Sequence, residues 1–125
     1  GSVYDEGIRN IEGVKPMPTS TFGGTSYWLV PVVVDSALAD HREMLMELMA
    51  SEGIQTRVTF PSLHRMPAFA KFPAAHKFPT ANLIDQRGLC LPNTPRMNED
   101  SVQFVLGVLE ESVEKISTLV KQGSL

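Results

Sequence analysis

From Ile54 to Phe60 the chain alternates: Ile54, Thr56, Val58 and Phe60 on one side, Gln55, Arg57 and Thr59 on the other. A period of two predicts a strand with one buried face. Just upstream, in "DHREMLMELMASE" (40–52), the period lengthens. Met44, Leu45, Leu48 and Met49 form the apolar stripe of a helix. Asp40 and Glu43 have the spacing of a capping box, and Gly53 suits the left-handed position that closes a helix. "YWLVPVVV" (27–34) is apolar almost throughout and rich in β-branched and aromatic residues, which predicts a strand covered on both faces. Pro31 within it cannot donate to a ladder, so it marks an edge position or a bulge.

The remaining elements follow from stop signals and periodicity. "YDEGIRNIEGVKPMP" is a short helical end, with Ile8 and Ile11 on one face, Gly13 as cap and Pro16 and Pro18 preventing continuation. "TSTFGGTS" (19–26) is a polar loop. Residues 61–79 carry Pro61, Pro67, Pro73 and Pro79 and form a long irregular connection, a length that in compact domains tends to carry function. "TANLIDQRG" predicts a short helix with Thr80 as N-cap and Gly88 as stop. "LCLP" (89–92) is a short buried strand. The longest helix begins after Asn98, its N-cap, with Glu99 and Asp100 suiting the positive end of the dipole. Its stripe is Val102, Val105, Leu106, Leu109, Val113, Ile116 and Val120, and residues 122–125 are a frayed tail. The order predicts an α/β sandwich: a small, mostly antiparallel sheet with helices packed on one face.

At 125 residues this is one domain with enough chain for a real core. A hydrophobic fraction of 42% and a charged fraction of 20% are those of an ordinary globular domain. The net charge of −3 gives no basic footprint for nucleic acid, and no apolar run is long enough for a membrane span. One cysteine and no signal peptide point to a reducing, cytoplasmic setting. Gly1-Ser2 reads as the scar of a removed tag.

Candidate chemistry is sparse. His41, His64, His76 and Cys90 are the metal-ligand types of interest, and their spacings match no zinc pattern, so no metal site is expected. Cys90, between Leu89 and Leu91, reads as a small core hydrophobe rather than a nucleophile. The Gly23-Gly24 pair fits neither phosphate-loop pattern. What stands out is the end of the alternating strand. Arg57 is on its polar face, the chain turns at Pro61, and His64 and Arg65 follow on a loop positioned by that strand, a common location for binding residues.

"GIQTRVTFPSLHRMPAF" followed by "FPTANLIDQRGLCLPNTPRMNEDSVQFVLGVLEE" resembles the C-terminal segment of the DegT/DnrJ/StrS family of pyridoxal-phosphate-dependent, fold type I sugar aminotransferases. The upstream "SYWLVPVVVD" resembles that segment's first strand, and the likeness runs over roughly residues 4–115. It implies a C-terminal lobe that packs against a large cofactor-carrying domain and closes the cleft over a nucleotide-linked keto-sugar, the amino group coming from glutamate. Residues 3–18 would then end an interdomain helix and linker, 19–121 would be the lobe, and 122–125 a tail. The resemblance puts Arg57 and His64 near the cleft mouth, with Arg65 beside them, as substrate-binding residues. Arginine offers a fork of donors to phosphate or sugar oxygens, and histidine exchanges hydrogen bonds with hydroxyls at neutral pH. Ser62 replaces a common second proline, which would loosen the turn. Met66 stands where the family often has Gln and Phe69 where it often has Tyr, each losing a polar group.

The family's cofactor-binding lysine belongs to the large domain. None of Lys15, Lys71, Lys77, Lys115 and Lys121 lies in a comparable context, and solvated surface is the better reading of each. The chain alone is therefore expected to hold no cofactor and no catalytic residue. The expected partners are the large domain, the nucleotide sugar and a second copy meeting through the exposed interdomain face. The alternative is a free-standing, non-catalytic α/β binding or interaction module; charged residues over the equivalent face would favour it, and an apolar face paired in a homodimer would be compatible with either.

Overall fold

The structure, a computed structural model, describes residues 2–72 and 78–125. Four strands form one antiparallel sheet in the order β1-β2-β4-β3, where β1 is Val14–Pro16, β2 Val30–Val34, β3 Arg57–Val58 and β4 Gly88–Leu91. Among the described residues four α-helices accompany it: α1 (Ser2–Arg9), α2 (Arg42–Ser51), α3 (Pro79–Arg87) and α4 (Glu99–Lys121).

The core lies between one face of this sheet and helices α1, α2 and α4. Val30, Val32 and Val34 point into it from β2, and their cross-strand partners Leu91, Leu89 and Val14 extend the same layer. Leu45 and Met49 of α2, Tyr4 and Ile8 of α1, and Leu106, Leu109, Val113 and Ile116 of α4 fill the other side. The predicted α/β sandwich with a small antiparallel sheet is thus observed. α3 differs from the other helices: it leans on β2 and β4 without burying any residue fully.

Local signals explain most element ends. At the end of α2, Gly53 adopts φ +80, its amide donates to Ala50 and that of Ile54 to Met49. These two bonds make a Schellman cap, and the residues that flank it, Met49 and Ile54, are both buried in the core. Asn98 caps α4 as predicted, its Oδ1 accepting from the Ser101 amide at 2.9 Å. The expected capping box at Asp40 is absent. A 3-10 helix, Ser36–His41, occupies that position, and α2 starts only at Arg42. Thr80 does not cap α3, which starts with Pro79 in its first turn, where a missing N–H is harmless. The tail expected to fray begins with amides of Gln122, Gly123 and Ser124 that close onto the last carbonyls of α4.

Several strand expectations change. Tyr27 is not in the sheet. It sits at φ +51, a left-handed conformation unusual for a bulky side chain. The Asn93 amide donates to its carbonyl, and its hydroxyl donates to Asp5 at 3.0 Å, so two contacts hold it there. Pro31 lies in an interior strand rather than at an edge, but β1 reaches only as far as Val32, leaving that flank of Pro31 open. Pro31 and Val33 are half-buried, so the second face of β2 is not fully covered. β1 itself falls within the stretch read as a linker. β3 is far shorter than the predicted 54–60, and the alternation fails: Thr59 is buried while Phe60 is 69% exposed.

Thr59 explains that failure. Its hydroxyl donates to the Ile84 carbonyl at 2.8 Å while its amide still donates to the Gly88 carbonyl of β4 at 3.3 Å, so its side chain is buried against α3 where the pairing ends. The approach needs Gly88. A Cβ there would lie 2.5 Å from both the Ile84 carbonyl oxygen and the Thr59 hydroxyl. Backbone cannot yield as a flexible side chain does, so Gly88→Ala should destabilise the fold by about 3 kcal/mol, the upper end for overpacking, measured by urea unfolding.

Tyr4 gives a second test. Its ring is buried in the core, its hydroxyl donates to the Pro92 carbonyl at 2.7 Å, and burial pushes its pKa up to about 12. The unfolded chain releases this proton near the ordinary value of about 10. Between those two values the folded state holds the proton more tightly, so stability falls as pH rises through the window. Tyr4→Phe should lose about 1 kcal/mol at neutral pH and lack that alkaline decline, as measured by denaturation from pH 9 to 12.

Candidate functional site

The loop after β3 is fastened to α3 by a row of polar contacts. Thr59 bonds the Ile84 carbonyl, as above. The Ser62 hydroxyl donates to the Ala81 carbonyl at 2.8 Å and its amide to Asp85 Oδ2 at 3.0 Å. A 3-10 turn, Leu63–Arg65, then brings two side chains back onto the same helix. His64 Nε2 lies 2.8 Å from Asn82 Oδ1, and Arg65 Nη1 donates to Asp85 Oδ2 at 3.0 Å. An amide oxygen can only accept, so Nε2 carries the hydrogen in this bond, and Nδ1 is the ring nitrogen not used in it. The His64 ring also stacks on Phe78, with centroids 5.0 Å apart.

Asp85 is the centre of this row. The Ser62 backbone N–H, helped by the charge of Arg65 and opposed by burial, holds its carboxyl below the usual carboxylate range. Its main-chain carbonyl is held from the other side: Arg42, at the start of α2, donates from Nη1 to the carbonyls of Asp85 at 2.6 Å and Gly88 at 3.2 Å. The guanidinium of Arg42 thus takes up the Asp85 carbonyl that the end of α3 leaves open and shares the Gly88 carbonyl with Thr59.

The three residues singled out from sequence divide into two places. His64 and Arg65 come together on α3. Arg57 is exposed on β3 and lines a separate groove with Gln55, Asn93 and Phe104, between that strand and the start of α4. Among the described residues the Arg57 side chain makes no hydrogen bond or ion pair, while its backbone pairs with Cys90 in the sheet. Sequence reading missed Asn82 and Asp85. Their one signal is three-residue spacing on a helix with no apolar stripe, which places two polar side chains on one face. Ser62 does not loosen its turn: it supplies an N–H that a proline could not.

Next to this loop the surface is apolar. Trp28 is 72% exposed and its ring meets that of Phe60 at 6.1 Å, while Val58 and Leu63 are also exposed. Cys90 is buried opposite Pro31 and Arg57, and burial pushes its thiol pKa up. Among the described residues no group of three His, Cys, Asp or Glu side chains could hold a metal. His76 and Lys77 lie outside the described residues. No helix among them is long and apolar enough to cross a membrane.

The profile of the DegT/DnrJ/EryC1/StrS aminotransferase family matches residues 1–110. The chain belongs to that family. It is 28% identical over 85 residues to the GDP-perosamine synthase of Vibrio cholerae, covering 68% of this chain and 23% of that protein. The structure of DesI in the presence of its TDP-sugar product superposes with a TM-score of 0.77 at 25% identity, covering 99% of this chain and 32% of DesI. Spr1654 from Streptococcus pneumoniae in its PLP form shares the fold, with a TM-score of 0.76 at 20% identity over 92% of this chain and 30% of that one. The chain therefore spans less than a third of the length of the relatives it matches.

The described residues of this family member do not fit a pyridoxal-phosphate site. Lys15 pairs with Asp35 on the surface, Lys71 lies over the Phe72 ring, and Lys115 and Lys121 are exposed on α4. Lys121 lines a surface groove together with Glu12, Asp35, Glu110 and Glu114, and that gathering of carboxylates would repel the cofactor's phosphate rather than hold it.

Proposed function

We propose that this chain is the C-terminal lobe of a cytoplasmic, pyridoxal-phosphate-dependent aminotransferase acting on a nucleotide-linked keto-sugar. In this reading a larger domain outside the chain holds the cofactor and performs the chemistry. Residues 3–18 lead in from it and 19–121 form the lobe. The lobe closes the cleft and helps select the sugar nucleotide. The observation that carries the reading is the loop after β3, which is stiffened from behind by α3 and presents His64 and Arg65 beside an uncovered apolar surface.

Each residue has a distinct part. Arg65 uses one arm on Asp85 and keeps the rest of its guanidinium for phosphate or sugar oxygens. His64 offers Nδ1 to a sugar hydroxyl. Arg57, exposed on the edge strand, contributes charge to the approach of an anionic nucleotide. Trp28, Phe60 and Leu63 meet the large domain, and in the isolated chain the same surface would pair two copies. This surface lacks the charged cover that would favour a free-standing module, although an apolar face paired between two copies fits either reading.

The test uses the full-length enzyme and its keto-sugar nucleotide. Arg57→Ala, His64→Ala and Arg65→Ala should each raise KM about tenfold or more while leaving kcat nearly unchanged, since each removes binding of a charged or polar substrate group. Parent-like KM values for all three would overturn the reading. The 125-residue chain, incubated with pyridoxal phosphate and reduced with borohydride, should show no lysine adduct by mass spectrometry. A stoichiometric adduct on one lysine would make this chain a cofactor enzyme in its own right.

A further inference from the structure

The polar contacts behind the loop differ in what they touch. Those of Thr59 and of the Ser62 hydroxyl run to backbone carbonyls and hold the chain path alone. Asp85 does more, because the same carboxylate oxygen accepts from the loop amide at Ser62 and from the head of Arg65. Its side chain is 15% exposed against 54% for Arg65, so the fixed partner is the carboxylate and the mobile one the arginine. Asp85 is itself braced through its carbonyl by Arg42, whose guanidinium is anchored on another helix.

We propose that Asp85 is a positioning residue for substrate recognition: it pins one arm of Arg65 to the loop backbone and so directs the remaining donors of that guanidinium outward as a prearranged oxyanion receptor. This rests on the reading of the loop as substrate-facing. An arginine without such a tether samples many rotamers, and binding must then order it. Holding one Nη1 removes most of that freedom while sparing the rest of the fork for a bidentate contact. The ligand chemistry that fits is a phosphate or diphosphate oxygen pair. Arg65 reaches it through side-chain donors that lie outside the ion pair with Asp85.

The decisive variant is Asp85→Asn in the full-length enzyme. It keeps an acceptor for the Ser62 amide and removes the charge that holds Arg65. KM for the nucleotide sugar should rise about 3- to 10-fold, as expected when one rotamer-rich side chain loses its prior ordering, with kcat little changed. In an Arg65→Ala background the same substitution should add nothing, since the two residues act as one unit. Asp85→Glu, which restores the charge, should recover part of the loss. Parent-like KM for Asp85→Asn, in an enzyme where Arg65→Ala raises it, would overturn the positioning role and leave the substrate-facing loop intact. Unchanged KM for Arg65→Ala would instead remove the loop reading on which it rests. Should Asp85→Asn fail to fold, the unmodified chain still decides: the Arg65 guanidinium should show hindered rotation by NMR, and free rotation there would overturn the proposal.

Discussion

At Gly88 the chain passes from the last turn of α3 straight into β4, with the Ile84 carbonyl oxygen and the Thr59 hydroxyl each where a Cβ would be 2.5 Å away. Because that point is empty, the Thr59 side chain can reach the helix, and the edge strand ends after two residues instead of seven. With Thr59 held there, Ser62 falls within reach of Ala81 and Asp85, and the turn from Leu63 to Arg65 closes on the same helix. Arg42 braces the junction from behind, on the carbonyls of Asp85 and Gly88 themselves. The loop that carries His64 and Arg65 is thus a consequence of one close approach, and α3 serves it as a brace more than it serves the core, to which it contributes no buried residue.

The parts of the fold that sequence made legible are those where a local period or a local cap decides the matter. α4 has a full stripe and an Asn cap, and both are found. The close of α2 at Gly53 follows from a left-handed requirement that glycine meets most easily. What escaped has no local cause. The three residues of β1 show no period and exist as a strand through pairing with β2. Tyr27 looks like strand by composition, yet contacts from Asn93 and Asp5, far along the chain, set its backbone. The helix start at Asp40 failed because a 3-10 turn, rather than a side-chain cap, carries the chain into α2.

The site divides the same way. His64 and Arg65 were visible because a strand end followed by a proline turn is a recognisable place for them. Asn82 and Asp85 were not, since side-chain bonds across about twenty positions leave no periodic trace. The polarity of α3 carried part of the information: a helix without an apolar stripe, lying against the sheet, must use its polar side chains on something. The alternation that suggested a buried Val58 and Phe60 misled for a related reason. It is a real period of two, but the strand it describes is an edge, and its apolar side is left open.

That open side has an energetic consequence for how the lobe, as proposed, would meet a larger domain. Docking a loop usually strips water from its polar groups, and unmatched ones are penalised. Here the polar groups of Thr59, Ser62 and Asp85 are already bonded within the lobe, while Trp28, Phe60 and Leu63 face outward. Covering those three would remove apolar surface from water at about 25 cal/mol per Å² with little polar desolvation to offset it. The groups left with donors or acceptors to spare, the open arms of Arg65 and Nδ1 of His64, are those that a substrate could satisfy. Attachment and recognition would then draw on separate atoms of one short loop. A change at Phe60 would weaken the first and leave the second, and a change at Arg65 would do the reverse.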